Sequence, residues 1–207
     1  MLERKSVLIT GGTGLLGRAI VRHALAAGAA VTFTTFRNEA VARELEAAGA
    51  RGVQADLRSP ETFPKLKAIV KERSEALDVL IHNAAVARDA TVSKMDEAAW
   101  DEVIDVNLTA AYRLVKTLLP LLYRSEHAKV LFVSSRAARV GSFGAANYAA
   151  SKAGLEGAWR EGDLRSRRHP GIETASQRPT SPERTPPPLG HDAHSLAGRG
   201  GGSVQEM

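Results

Sequence analysis

Tyr148 and Lys152 stand four positions apart in "NYAASKAG" (147–154), a run otherwise built mainly of small residues. On a helix that spacing is about one turn, so a phenol and an ammonium share one face. A free phenol, with a pKa of about 10, is poorly matched to proton transfer at neutral pH, and an adjacent ammonium favours the phenolate. Such a pair can pass a proton to or from an oxygen atom. Taken alone it is also what chance places on a surface helix, so the remaining motifs must decide.

The second candidate is "TGGTGLLG" (10–17), directly after the apolar run "SVLIT" (6–10) and opening a helical stretch. Gly11, Gly14 and Gly17 suit a tight turn, a close approach of backbone to a pyrophosphate, and close packing of helix on strand. The helix N-terminus adds free N–H groups and positive dipole for the phosphates. After the second apolar run, "TFTTFRNE" offers no carboxylate for the adenosine ribose hydroxyls but places Arg37 there. An arginine at that point favours a 2′-phosphate, hence NADP over NAD; the bland reading is an ordinary loop arginine.

These groups need elements to hold them. β-branched runs at 6–10, 29–36, 51–55, 77–83 and 129–135 alternate with stretches of helical apolar spacing at 15–28, 38–49, 59–74 and 95–123. Gly28 and Gly49 sit where C-cap glycines belong, and Ser59 before Pro60 reads as an N-cap. Nearly all-apolar strands alternating with helices mean a parallel sheet buried on both faces, a doubly wound α/β domain over residues 1–157.

The chain has 207 residues, enough for one sizeable core, and no cysteine, which excludes disulfides and thiolate metal sites. A net charge of +5 is scattered, which speaks against nucleic acid as a partner. No long apolar span or signal-like leader is seen, so a cytoplasmic protein without membrane contact is expected. Residues 158–207 differ: they lack Lys, Phe and Tyr but hold seven arginines and six of the nine prolines. No strand or helix periodicity is found there. Two readings stay open, a disordered tail or a stretch read out of frame from a GC-rich gene.

Residues 5 to about 157 resemble the short-chain dehydrogenases/reductases, in the classical branch that includes the 3-oxoacyl carrier-protein reductases. "TGGTGLLG" is similar to the family's cofactor loop, "ADL" (55–57) to its adenine segment, and "HNAA" (82–85) to its Asn-Asn-Ala-Gly signature. "DVNLT" (105–109) carries the asparagine of its tetrad, and Ser135 stands thirteen residues before Tyr148 as in its active site. The resemblance implies a Rossmann-type fold and catalytic roles for Asn107, Ser135, Tyr148 and Lys152. Tyr148 would be the acid/base, Lys152 would tune it and hold the nicotinamide ribose, Ser135 would bind the substrate oxygen, and Asn107 would anchor a water. Cofactor contacts are implied for Thr10, Gly11, Thr13, Gly14, Leu16, Gly17, Asp56, Leu57, Asn83 and Ala84, as well as Tyr148 and Lys152. A carbonyl or alcohol substrate, NADP or NAD, and a homo-dimer or homo-tetramer follow from the same likeness. The chain departs from the pattern at Leu15, where the family has a glycine, and at His82 and Ala85. The glycine spacing is closer to the family's extended, epimerase-like branch. The family's later strands, Pro-Gly turn and substrate flap have no readable counterpart after Gly157, and the alternative functions are a catalytically impaired dinucleotide-binding remnant or an extended-branch, nucleotide-sugar epimerase-like member. His82 and His23 read as structural.

Overall fold

The computed structural model describes residues 2–126 and 128–158, together with the backbone of Glu173–Ser176. All of these lie within one compact unit, Met1–Gln177. Strands β1 Ser6–Thr10, β2 Ala30–Thr35, β3 Arg51–Gln54, β4 Val79–His82 and β5 Lys129–Phe132 fall inside the five apolar runs. They pair in parallel in the order β3-β2-β1-β4-β5, and β6 Glu173–Ser176 adds to β5 in parallel.

The sixth strand corrects the expectation that no strand follows residue 157. "ETAS" is too short and too polar to show a strand period, and pairing of its backbone with β5 needs no such pattern. The rest of 158–207, including the expected disorder, lies outside the described residues.

The helices are α1 Leu15–Ala26, α2 Glu39–Ala47, α3 Thr62–Arg73, α4 Glu97–Ile104, α5 Ala110–Leu122, α6 Ala137–Val140 and α7 Ala146–Ala158. Gly28 and Gly49 do close α1 and α2 with positive φ, 82° and 102°. At the third helix the start differs from the sequence reading. Ser59 and Pro60 form a turn, with the Thr62 amide bonding the Ser59 carbonyl, and α3 begins only at Thr62. The long stretch from 95 to 123 is broken at Asp105–Thr109, where one π-helical turn joins α4 to α5.

Alternation along the strands divides the core between the two faces. Val7 and Ile9 pack with Val21, Val31, Phe33 and Leu45 beneath α1 and α2. Leu8 and Leu80 pack with Leu66, Leu114, Leu118 and Leu155 beneath α3, α5 and α7. Each fully buried leucine stabilises by about 2 kcal/mol, against about 1 kcal/mol for the side-chain caps that Asn38 and Asp96 place on α2 and α4. Packing therefore sets where the helices lie, and the caps set where they start. No helix among the described residues is long and apolar enough to cross a membrane.

Candidate active site

The strand order reverses at β1 and β4, whose connections leave toward opposite edges of the sheet and open a crevice at the strand carboxyl ends. The crevice holds a cleft of about 470 Å³ lined by the glycine-loop residues Gly11, Thr13, Gly14, Leu15, Leu16 and Gly17 and by Asn83 to Val86. Gly11 has φ 65°, and a Cβ there would lie 2.8 Å from the Ala84 Cα. A Cβ on Gly17 would overlap the Gly11 carbonyl oxygen, and one on Gly12 would fall 2.7 Å from the Phe33 Cβ. Gly12 is thus a required glycine that motif spacing did not single out. At Gly14 a Cβ would meet only the Gly11 oxygen at 3.4 Å, an ordinary contact. No internal clash demands glycine there; what a side chain would obstruct is the cleft. Gly14 is also the N-cap of α1 and no side chain caps that terminus, so its first amides remain available to an anion. These features fit a pyrophosphate.

Asn83 fastens the loop to β4: its Nδ2 donates to the Thr10 carbonyl at 3.2 Å and the Gly11 carbonyl at 3.1 Å. Thr10 lies beneath this floor, fully buried, its hydroxyl accepting from the Asn83 and Ala84 amides at 3.1 Å each.

At the far end of the cleft stand Phe36, Arg37, Asp56, Leu57 and Arg58. The Arg37 guanidinium lies 4.9 Å from the centroid of the half-exposed Phe36 ring, and that of Arg58 lies 5.8 Å from it. Arg58 also grips Asp56, with Nε at 3.0 Å from Oδ1 and Nη2 at 2.7 Å from Oδ2. Those hydrogen bonds hold the Asp56 carboxyl below the usual range. Arg37 and Arg58 thus stand beside Asp56 at this end, and Glu102 of the same cleft is paired with Arg88. Arg58 was not singled out from the sequence, because its role depends on the fold bringing the end of β3 beside the end of β2.

Tyr148 and Lys152 stand on α7, and Ser135 follows β5. Ser135 and Tyr148 line one second cleft of about 330 Å³, together with Ala87, Asp89 and Ser142. Residues 85–87 run from the first cleft into the second, so the two adjoin. Lys152 is only 1% exposed; its Nζ lies 5.6 Å from the Tyr148 ring centroid and donates to the Val133 carbonyl at 2.8 Å. Burial pushes its pKa down to about 8. The unfolded chain binds that proton up to about pH 10.5, so stability is expected to rise as pH climbs from about 8 to 10.5, by roughly 3 kcal/mol from this group. Urea melts of wild type and Lys152→Met at the two ends of that window check this. A constant gap between them would mean that Lys152 is not a buried cation.

Asn107 sits in the π-helical turn, fully buried. Its Nδ2 donates to the Val86 carbonyl at 3.0 Å and to Ser151 Oγ at 3.1 Å, and its Oδ1 accepts from the Val86 amide at 2.8 Å. Both Nδ2 hydrogens are used, so a water at this residue would be held at the second lone pair of Oδ1 or at the backbone. Two other residues anchor α7 without having been foreseen. Buried Asn147 ties the start of α7 to the Arg88 and Ala99 carbonyls at 3.0 and 3.3 Å. Buried Glu156 accepts from Ser134 Oγ at 2.8 Å and Arg139 Nε at 3.3 Å. Asn147 borders Tyr148 in the same run, but only its burial separates an anchor from a spacer.

A model of the short chain dehydrogenase family matches residues 5–179. The 3-oxoacyl-[acyl-carrier-protein] reductase FabG of Escherichia coli K12 is 31% identical over 157 residues, covering 75% of this chain and 64% of its own length. The protein of the same name from Staphylococcus aureus Mu50 is 34% identical over 166 residues, covering 76% of this chain and 66% of its own length. The chain thus spans about two thirds of the curated relatives it matches. A solved structure from Pseudomonas syringae, of a protein assigned to the short chain dehydrogenases, superposes with a TM-score of 0.71 at 29% identity, covering 76% of this chain and 68% of that one.

Proposed function

The chain belongs to the short chain dehydrogenase family, and on that premise we propose that it moves a hydride between a nicotinamide dinucleotide, preferably NADP, and a carbonyl or secondary alcohol. Reduction of a 3-oxoacyl thioester is the finer assignment, supported by the names of the relatives at about 30% identity. The observation that carries the reading is the placement of Tyr148 and Ser135 on one cleft, with Lys152 a turn further along α7, adjoining a glycine-lined crevice built for a pyrophosphate.

When bound, the dihydronicotinamide would supply the hydride. The chain's own work is positional and protic. Ser135 Oγ hydrogen-bonds the carbonyl oxygen and polarises the bond, and Tyr148 hands its phenolic proton to that oxygen as the carbon is reduced. The product is the secondary alcohol, and the phenolate left on Tyr148 regains its proton from solvent. The buried Lys152 cation, its Nζ 5.6 Å from the Tyr148 ring centroid, stabilises that phenolate.

NADPH oxidation followed in the presence of a short 3-oxoacyl thioester and of a generic ketone tests the reading. Turnover of either supports the oxidoreductase, and turnover of neither, with NADPH bound, supports the dinucleotide-binding remnant.

Cofactor choice has its own test at Arg37. Arg37→Asp removes one of the cations at the adenosine end and supplies a carboxylate for ribose hydroxyls. The ratio of NADPH to NADH affinity is expected to fall about tenfold to a hundredfold, for one charge-assisted contact of about 1.5–3 kcal/mol. Fluorescence titration with each cofactor reads it. An unmoved ratio would make Arg37 an ordinary loop residue.

A further inference from the structure

His82 stands where the family signature has asparagine, and its side chain is fully buried. Its ring Nδ1 lies 3.0 Å from Thr10 Oγ1, and its Nε2 lies 3.2 Å from the Asn107 carbonyl oxygen. Thr10 already accepts from the Asn83 and Ala84 amides, and its one proton points to His82 Nδ1. Nδ1 therefore accepts, and the ring proton sits on Nε2, facing the Asn107 carbonyl. The π-helical turn at Asp105–Thr109 makes this possible. Its wider bonding pattern interrupts the α-helical ladder, and the Asn107 carbonyl turns to the ring. From Asn107 the bonds continue: Nδ2 donates to Ser151 Oγ at 3.1 Å, and Ser151 Oγ donates to the Tyr148 carbonyl at 2.8 Å. Thr10, His82, Asn107 and Ser151 are each 0% exposed.

We propose that His82 is a positioning residue: it completes one buried chain of hydrogen bonds, from Thr10 through Asn107 and Ser151, that holds the cofactor loop and the Tyr148–Lys152 face of α7 in fixed relation. The inference rests on the reading of the site as an oxidoreductase centre, where hydride donor and proton donor must meet one carbonyl group. A fully satisfied buried chain is rigid, whereas an interrupted one leaves polar groups unpaired and free to shift. His82 does not touch the reacting atoms; it acts through Asn107 and Ser151. Lys152, also buried nearby, opposes a charge on the ring, and burial with that cation pushes the His82 pKa down to about 4. The bond directions derived above require the same neutral ring.

The test uses the full chain and three variants. His82→Gln offers one acceptor and one donor and can rebuild both bonds. His82→Leu removes both at similar volume, and Ser151→Ala cuts the last link with a minimal change of volume. Turnover is expected to fall about tenfold to a hundredfold in His82→Leu and Ser151→Ala, the scale of a displacement near an ångström, with NADPH affinity nearly unchanged and His82→Gln close to wild type. A merely structural histidine would lower melting temperature without this split and without rescue. Turnover near wild type in Ser151→Ala, or in a folded His82→Leu, overturns the proposal; if His82→Leu does not fold, Ser151→Ala decides. A second arm needs no turnover. Nitrogen NMR of the histidine-labelled protein should show His82, identified by its loss in His82→Gln, neutral with its proton on Nε2 between about pH 5 and 9. A ring that titrates near pH 6.5, or carries its proton on Nδ1, breaks the chain and ends the proposal. A wild type without turnover would instead remove the oxidoreductase reading, and with it the positioning role, while the NMR arm still reports whether the bonds exist.

Discussion

Tyr148→Phe is expected to cut turnover by roughly a hundredfold to ten-thousandfold, the range of a lost general acid, while the NADPH dissociation constant stays within about twofold. The substitution keeps the ring that lies 5.6 Å from Lys152 Nζ and removes only the hydroxyl of a residue that lines one cleft with Ser135. Lys152 keeps its bond to the Val133 carbonyl, and the glycine-lined crevice is untouched. Rate and affinity should therefore separate. Steady-state kinetics beside a fluorescence titration with NADPH measures both. If the two fall together, the tyrosine is holding the site's shape, and the assignment of its phenol as the acid is wrong.

Gly17→Ala is expected to be the most damaging single methyl group in the described chain. The new Cβ would overlap the Gly11 carbonyl oxygen and lie 2.8 Å from Asn83 Nδ2, and neither can retreat cheaply. The oxygen belongs to backbone, and Asn83 is itself fixed by its bonds to the Thr10 and Gly11 carbonyls. The loop must shift, at about 1–3 kcal/mol of stability, and NADPH affinity should drop by more than about a hundredfold because the pyrophosphate cradle moves with it. Gly14→Ala is the control. Its Cβ has no internal clash, so it should melt like wild type and yet bind the dinucleotide more weakly. Equal losses of stability in the two variants would show that Gly14 is needed for folding and not for a ligand.

The legible parts of this sequence were those whose physics is local or periodic. Short β-branched runs between helical stretches located the first five strands, buried on both faces in β1 and β2 but not in β3, and the glycine string located the turn between β1 and α1. The Tyr148–Lys152 spacing became readable once α7 was recognised as a helix, since one turn sets the pair's relation. Less legible were residues whose meaning comes from a distant partner. Arg58 matters because Asp56 and Phe36 stand beside it, and Glu156 because Ser134 and Arg139 reach it across 22 and 17 positions of chain. His82 read as structural in sequence, and only its two hydrogen-bond partners reveal which groups it joins. Ser59 as an N-cap failed because proline fits the turn before α3 as well as it fits a first helical position.

The central position of β1 also bears on the order in which the protein can form as it leaves the ribosome. Within this sheet β1 precedes both of its partners in the chain: it pairs on one side with β2, a near neighbour, and on the other with β4, whose Val79 lies opposite Val7. The βαβ units from β1 to β3 can close early on local contacts, but the central seam must wait for a segment about 70 residues downstream. The glycine loop is in place from the first unit, yet its fastening by Asn83 arrives only with that seam. A nascent chain stopped before β4 would carry the loop's sequence without its grip. Capture of the proposed dinucleotide during synthesis is therefore a late event, and it would act as a ligand that locks an already assembled sheet, not as a template that starts it.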